Sequence, residues 1–172
     1  IRERLYHCCR EKRFLNLFGY TGTATVQAAL GGAVSTTTVD LSNQYVNWAK
    51  RNFSANGLCD ITNHLIRADA VSWLTEARDR YDVIFLDPPT FSNTKKTGRV
   101  FDIQKDHLRL IHRAMDCLHP NGELIFSTNF KKFLLEDRLY KEFLVTDITP
   151  KTVGKDFSRS KKIHSCWELR HR

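Results

Sequence analysis

No stretch of this chain approaches the ~18 uninterrupted apolar residues that a membrane-spanning helix requires. Residues 1–13 carry charges throughout, so they do not read as a secretory leader. Cysteine occurs five times, at Cys8, Cys9, Cys59, Cys117 and Cys166, yet there is no C-x-x-C pair, and the seven histidines form no H-E-x-x-H. The odd count and irregular spacing argue against a disulfide framework and against a structural zinc site, so no metal is expected. Reduced thiols in a cytoplasmic protein are the simplest reading. The dinucleotide fingerprint G-x-G-x-x-G is also missing, because Gly19 and Gly22 are spaced G-x-x-G. That spacing speaks against a nicotinamide dehydrogenase. Internal repeats and low-complexity segments are absent.

What is present is ordinary globular material. The 172 residues are 41% apolar and 27% charged, which excludes a disordered tail or a fibre and suits one domain spanning residues 1–172. The chain opens on Ile1 rather than Met and reads as a piece of a longer protein. The net charge is +8, of which +3 falls in residues 1–13, a basic lead-in, and +5 in residues 151–172, while residues 14–150 are neutral. One reading is solubility charge. The other is an electrostatic footprint for a polyanion such as RNA.

Short apolar runs alternate with helical patterns. Phe14 to Phe18 reads as a first strand, followed by the turn Gly19 to Thr23 and a helix from Ala24 to Leu30. Thr36 to Val39 is β-branched and ends at Asp40. Ser42 is placed to cap a helix on which Tyr45, Val46, Ala49 and Phe53 share a face. His64-Leu65-Ile66 makes a third strand ending near Asp69, before a short helix through Trp73 and Leu74. Val83-Ile84-Phe85-Leu86 is apolar at consecutive positions, as a strand covered on both faces should be. It runs into Asp87-Pro88-Pro89-Thr90-Phe91 and then a polar loop with Lys95, Lys96 and Arg99. A helix through Leu108, Ile111, Met115 and Leu118 is followed by the turn His119-Pro120-Asn121-Gly122. Strands at Leu124–Phe126, near Phe143–Ile148, and at Cys166–Leu169 complete the pattern, with a short helix through Leu135 and Leu139 between the first two.

This alternation predicts an α/β fold with a mostly parallel sheet and helices on both faces. Such folds bind ligands at the carboxyl ends of their strands. Gly19, Asp40, Asp69, Asp87 and Asn129 all sit just past strand ends and would share one crevice. Gly19 and Gly22 suit a turn that brings backbone close to a ligand, or an ordinary tight turn. Asp40 could accept both hydroxyls of a ribose, or serve the helix beside Ser42. Asp69 could accept an adenine amino group, or cap a helix. Asp87-Pro88-Pro89 is more specific. Two prolines fix φ and remove two donors, giving a rigid loop against a planar group, with Phe91 as a stacking face.

The set Asn16-Leu17-Phe18-Gly19-Tyr20-Thr21-Gly22, Asp40, Asp69 and Asp87-Pro88-Pro89 resembles the class I, Rossmann-like methyltransferases that use S-adenosyl-L-methionine and have a seven-stranded sheet. Gly31-Gly32-Ala33 with Ser35 to Asp40, Asp87 to Asn93, Asp156-Phe157 and Ile163 to Trp167 look like one subfamily. It is the C-terminal methyltransferase domain of the bifunctional large-subunit (23S) ribosomal RNA guanine methyltransferases. That resemblance implies methylation of guanine at N7, and an N-terminal RNA-binding and methyltransferase half as partner. It also implies roles. Phe18, Gly19, Tyr20, Thr21, Gly22 and Thr23 would shape the methionine pocket. Asp40, Leu41 and Ser42 would hold the ribose, and Asp69 with Ala70 the adenine. Asp87, Pro88, Pro89, Thr90 and Phe91 would receive a flipped base, with Asp87 reaching both cofactor and guanine. Lys95, Lys96, Lys151, Lys155, Arg159, Lys161 and Lys162 are candidate phosphate contacts, or a solvated charged loop.

Guanine N7 has a free lone pair, so no general base is needed, and no histidine falls at a predicted strand end. Cytosine C5 transfer needs a cysteine near the crevice, where this chain has Ser127-Thr128-Asn129 and Thr90-Phe91. Enzymes acting on exocyclic amines usually carry an aromatic residue directly after the prolines, where this chain has Thr90. Guanine N2, cytosine C5 and a non-catalytic RNA-docking module stand as alternatives.

Overall fold

The computed structural model describes residues 1–58, 60–94, 99–152 and 164–172. The central sheet has seven strands in the order β3-β2-β1-β4-β7-β9-β8. These are β1 (Arg13–Leu17), β2 (Ser35–Asp40), β3 (Asn63–Arg67), β4 (Tyr81–Leu86), β7 (Leu118–Thr128), β8 (Leu144–Asp147) and β9 (Ser165–Arg170). Strands β1 to β4 and β7 run parallel, and β9 is antiparallel to both β7 and β8. A separate hairpin joins β5 (Phe91–Thr94) to β6 (Arg99–Asp102). Of the polar loop expected after Asp87-Pro88-Pro89, Arg99 falls in β6, and Lys95 and Lys96 lie outside the described residues.

The central strands are covered on both faces, and their period-two alternation decides which residue goes where. Leu15, Leu17, Ile84, Leu86, Leu124 and Phe126 pack with Leu74 of α4 (Ala70–Glu76), Ile111 of α5 (Ile103–Asp116) and Leu139 of α6 (Asp137–Glu142). Their neighbours Phe14, Val83, Phe85 and Ile125 face the other way, onto Leu5 of α1 (Arg2–Cys8) and Ala24 and Ala28 of α2 (Thr23–Leu30). Ala49 and Phe53 of α3 (Asn43–Ala55) close on Val26 of α2. The basic lead-in is therefore part of the fold, since Leu5 and Cys9 are both fully buried.

The expected turn at His119–Gly122 lies inside the eleven-residue strand β7. The pairing steps from Tyr81↔Leu118 to Val83↔Glu123, so this segment bulges out while the strand recovers register behind it. Much of the terminal charge is spent within the fold. Glu123, almost wholly buried, meets Arg4 at 3.0 Å, Arg170 at 3.0 Å and Lys12 at 3.8 Å. Glu168 pairs with Arg4, and with Arg170 at 2.7 Å. Arg13 reaches Asp79 at 3.3 Å. Cys8, Cys9, Cys117 and Cys166 are free thiols. Among the described residues no helix is long and apolar enough to cross a membrane, and no cluster of His, Cys, Asp and Glu could hold a metal.

Candidate functional site

The carboxyl ends of β1, β2, β3, β4 and β7 open into a cavity of about 850 Å³. Asp40, Asp69, Asp87 and Asn129, each from a different strand end, line it together with Phe18 and Tyr20 from the turn after β1.

That turn is held from behind. Gly22 adopts φ +72°, and a Cβ there would come within 2.9 Å of Ala49 and Phe53, so the residue is tied to glycine by conformation and by packing. A Cβ on Gly19 would meet Thr38 Cγ2 at 2.3 Å. Below the turn, Asn16 Nδ2 donates to Thr25 Oγ1 at 3.0 Å, and the Thr25 and Thr38 hydroxyls share a bond of 2.6 Å. This buried polar chain fastens β1, α2 and β2 together. Phe18 and Tyr20 also hold positive φ, 58° and 50°, which costs energy for residues with a Cβ; Glu11, in the turn before β1, is the other such residue among the described ones.

Asp40 fixes the next wall. Its Oδ2 accepts the Tyr20 N–H at 2.9 Å and its Oδ1 accepts the Ser42 N–H at 2.8 Å. Each carboxylate oxygen keeps further acceptor capacity toward the cavity. Ser42 caps α3, its Oγ accepting from Tyr45 N at 3.3 Å. Asp69 caps α4, with Oδ2 accepting from Ser72 N at 2.9 Å and from the Ser72 hydroxyl at 2.8 Å. Asp69 thus both caps and lines the cavity, so the two sequence-level readings of it are compatible.

Asp87 differs in kind. No cation faces it among the described residues, and burial pushes its carboxyl up to about 6 although the Ser127 hydroxyl bonds to it and pulls the other way. Pro88 behind it is buried, and Pro89 and Thr90 are exposed at the rim.

Most predicted site residues come together. Phe18, Tyr20, Asp40, Leu41, Ser42, Asp69, Ala70, Asp87, Pro88, Pro89 and Thr90 line the cavity. Gly19, Thr21, Gly22 and Thr23 stand outside the lining and support the turn. Thr21 is buried, its carbonyl accepting from Asn52 Nδ2 at 2.8 Å. Phe91 is corrected. It is exposed and absent from the lining, while Ser92 and its partner across the hairpin, Phe101, line the cavity. The aromatic wall on that side is Phe101, 5.9 Å from Phe18 ring to ring. Val71, Ser92, Asn93 and Phe101 were not anticipated. The hairpin signal, two short β-prone runs around a polar tip, was the clue available. Tyr45 and Asn129 do reach the cavity, and Tyr45 packs edge-on against Tyr20 at 4.4 Å. Lys151 lies exposed on α7 (Thr149–Thr152). Lys95, Lys96, Lys155, Arg159, Lys161 and Lys162 lie outside the described residues, as do Asp156, Phe157 and Ile163.

A protein family described as Conserved hypothetical protein 95 matches residues 1–139. The chain belongs to that family. Among curated relatives of this family member, the "Ribosomal RNA large subunit methyltransferase K/L" of Desulfotalea psychrophila is 54% identical over 172 residues, covering all of this chain and 24% of that protein. The chain spans about a quarter of the length of the curated relatives it matches. Among solved structures it is similar to SMU.776 complexed with SAH, at TM-score 0.79 and 28% identity over 98% of this chain and 47% of that one. It is also similar to the SAM-dependent methyltransferase from Agrobacterium tumefaciens, at TM-score 0.67 and 25% identity over 99% of this chain and 59% of that one. The fold is the Rossmann-like methyltransferase fold, with a mostly parallel seven-stranded sheet and an antiparallel β9.

Proposed function

We propose that this chain is an S-adenosyl-L-methionine-dependent methyltransferase acting on large-subunit ribosomal RNA, with guanine N7 as the target atom. The observation that carries the reading is the single cavity in which Asp40, Asp69 and Asp87-Pro88-Pro89 meet at adjoining strand ends. The residues suit the cofactor. Asp40 is held by two backbone N–H groups and presents acceptors suited to a ribose. Asp69 and Ala70 stand where an adenine would lie, and Phe18 and Tyr20 border the space left for the methionine part. S-adenosylmethionine supplies an electrophilic methyl group on a sulfonium.

The protein's part is to align the acceptor. Guanine N7 offers a lone pair at neutral pH, so no residue need take a proton from it. Neither cysteine nor histidine lines the cavity among the described residues. Cys166, fully buried, has its thiol pushed up to about 12 by that burial, which leaves it inert as a nucleophile. Both facts count against cytosine C5. Asp87, Pro88, Pro89 and Thr90 form the surface that receives a base taken out of its stack. A second reading, guanine N2, is favoured by one feature: a carboxyl raised to about 6 is suited to accept a proton from an amine. Lys151 and the lysines and arginine outside the described residues are proposed as RNA contacts. The larger protein of which the relatives are examples would supply a further RNA-binding half, and ribosomal RNA as substrate implies the cytoplasm.

The test is methylation of unmodified large-subunit ribosomal RNA with labelled S-adenosylmethionine, followed by digestion to nucleosides and mass spectrometry. Label in 7-methylguanosine, lost in Asp87→Ala, is the expected result. Label in N2-methylguanosine would replace the target atom, and label in no nucleoside, for this chain and for the longer protein alike, would overturn the reading.

A further inference from the structure

A second cavity, of about 510 Å³, opens beside the β7 end, between the loop that follows β7 and the β8–β9 edge. Phe130, Lys131, Lys132 and Leu134 line it from the loop, and Asp147 and His164 from the far side. Its size falls in the ~300–1,000 Å³ range of small-ligand sites. It shares no residue with the main cavity, but its loop starts at Asn129, which lines that cavity.

The loop is built as a rigid platform. The Phe130 N–H donates to Thr128 Oγ1 at 3.2 Å, and the Phe133 N–H to the Phe130 carbonyl at 3.0 Å. The Gln104 side chain clamps Leu134 twice, donating from Nε2 to its carbonyl and accepting from its N–H, both at 2.9 Å. His107 Nε2 accepts the Glu136 N–H at 3.2 Å. On this fixed backbone Lys131 and Lys132 are exposed, and neither has an ion-pair partner among the described residues. Leu134 is 74% exposed. Asp147 opposite is engaged at Oδ1 by the Thr149 N–H, 2.8 Å away, and His164 by the Thr152 hydroxyl at 2.8 Å. Two exposed cations, a half-buried aromatic ring and an exposed leucine on an anchored loop are the parts of a site for a nucleotide in a single strand. The phosphate takes the lysines, and the base takes the apolar faces.

We propose that this second cavity holds a nucleotide flanking the one methylated, and that Lys131 and Lys132 grip its phosphate so that the neighbouring base enters at Asn129. The inference rests on the RNA reading above. It adds a subsite on a different strand end, and it makes the β7 loop a positioning element.

The experiment compares the wild-type protein with K131E/K132E in S-adenosylmethionine affinity by calorimetry, and in methyl transfer to a large-subunit ribosomal RNA fragment as a function of RNA and salt concentration. A KM for RNA raised ~10-fold or more, a saturating rate within ~2-fold, unchanged cofactor affinity and a shallower salt dependence are expected. Phe130→Leu, which stays apolar but loses the ring face, should raise KM ~3-fold with the same unchanged cofactor affinity. An RNA-active wild type with both variants unchanged in KM and salt dependence would overturn the subsite, leaving the cavity to another occupant such as a protein segment. A wild type that binds S-adenosylmethionine but neither binds nor methylates RNA would overturn the RNA reading itself, and the subsite with it.

Discussion

The two edges of the one sheet handle their carboxylates in opposite ways. At the edge where the parallel strands begin, Glu123 is buried among Arg4, Lys12 and Arg170, and Glu168 and Asp79 have arginine partners. At the edge where the same strands end, Asp40 and Asp69 are held by backbone N–H groups, and Asp87 is half-buried beside one hydroxyl. A buried carboxylate with three cations is satisfied and has nothing left to offer. One with a single hydroxyl is unsatisfied and available. Positive φ at non-glycine residues occurs at both edges, once before β1 at Glu11 and twice at the cavity edge, at Phe18 and Tyr20. The first edge holds α1 and β9 onto the sheet, and the second stores polarity and strain where a ligand can use them.

The sharpest break of this contrast is Asp87→Ala. Methyl transfer should fall ~100-fold or more while S-adenosylmethionine affinity changes only a few-fold, read by a rate assay beside calorimetry. Equal losses in both would make Asp87 a cofactor ligand alone. Glu123→Ala should act on the other edge only, lowering unfolding free energy by about 2–4 kcal/mol in urea, because several partly buried cations lose their counter-charge. A variant that kept full stability would show the network to be ornamental. Asp40→Ala should weaken S-adenosylmethionine binding ~10-fold or more by calorimetry, since a charged acceptor is removed and the Tyr20 and Ser42 N–H groups are released.

The last effect runs the other way. Asp87→Asn should stabilise the fold by about 1–3 kcal/mol at pH 8. Above about 6 the folded chain buries a charge that the unfolded chain keeps in water. Well below pH 4 both states hold the proton and the gain should vanish. Thermal melts across this range, with the transfer rate beside them, would show stability and function exchanged at one residue. A gain independent of pH would remove the burial argument.

Much of this was legible from residue order. Val83 to Leu86 had to be a covered strand, and Asp40, Asp69 and Asp87 had to follow strand ends, because apolar runs and their terminators are local features. Ser42 declared its cap in the same way. The β5–β6 pair was harder to see, since four-residue strands carry little periodicity, and without it the place of Phe101 in the cavity wall was hidden. The bulge in β7 also escaped notice, because His119-Pro120-Asn121-Gly122 carries every mark of a turn and only the pairing with β4 holds it within a strand.

By itself the sequence determined the alternation of elements and the identity of the residues at the strand ends. Those follow from side-chain period, β-branching and backbone sterics acting over a few neighbours. Only the tertiary structure decided what each charge does. The basic residues of the first thirteen looked like a free electrostatic surface, yet Arg4 reaches Glu123, 119 positions away, and Glu168, 164 positions away. Pairing across such distances depends on which strands lie side by side and in what register, and residue order does not state that until the chain has folded.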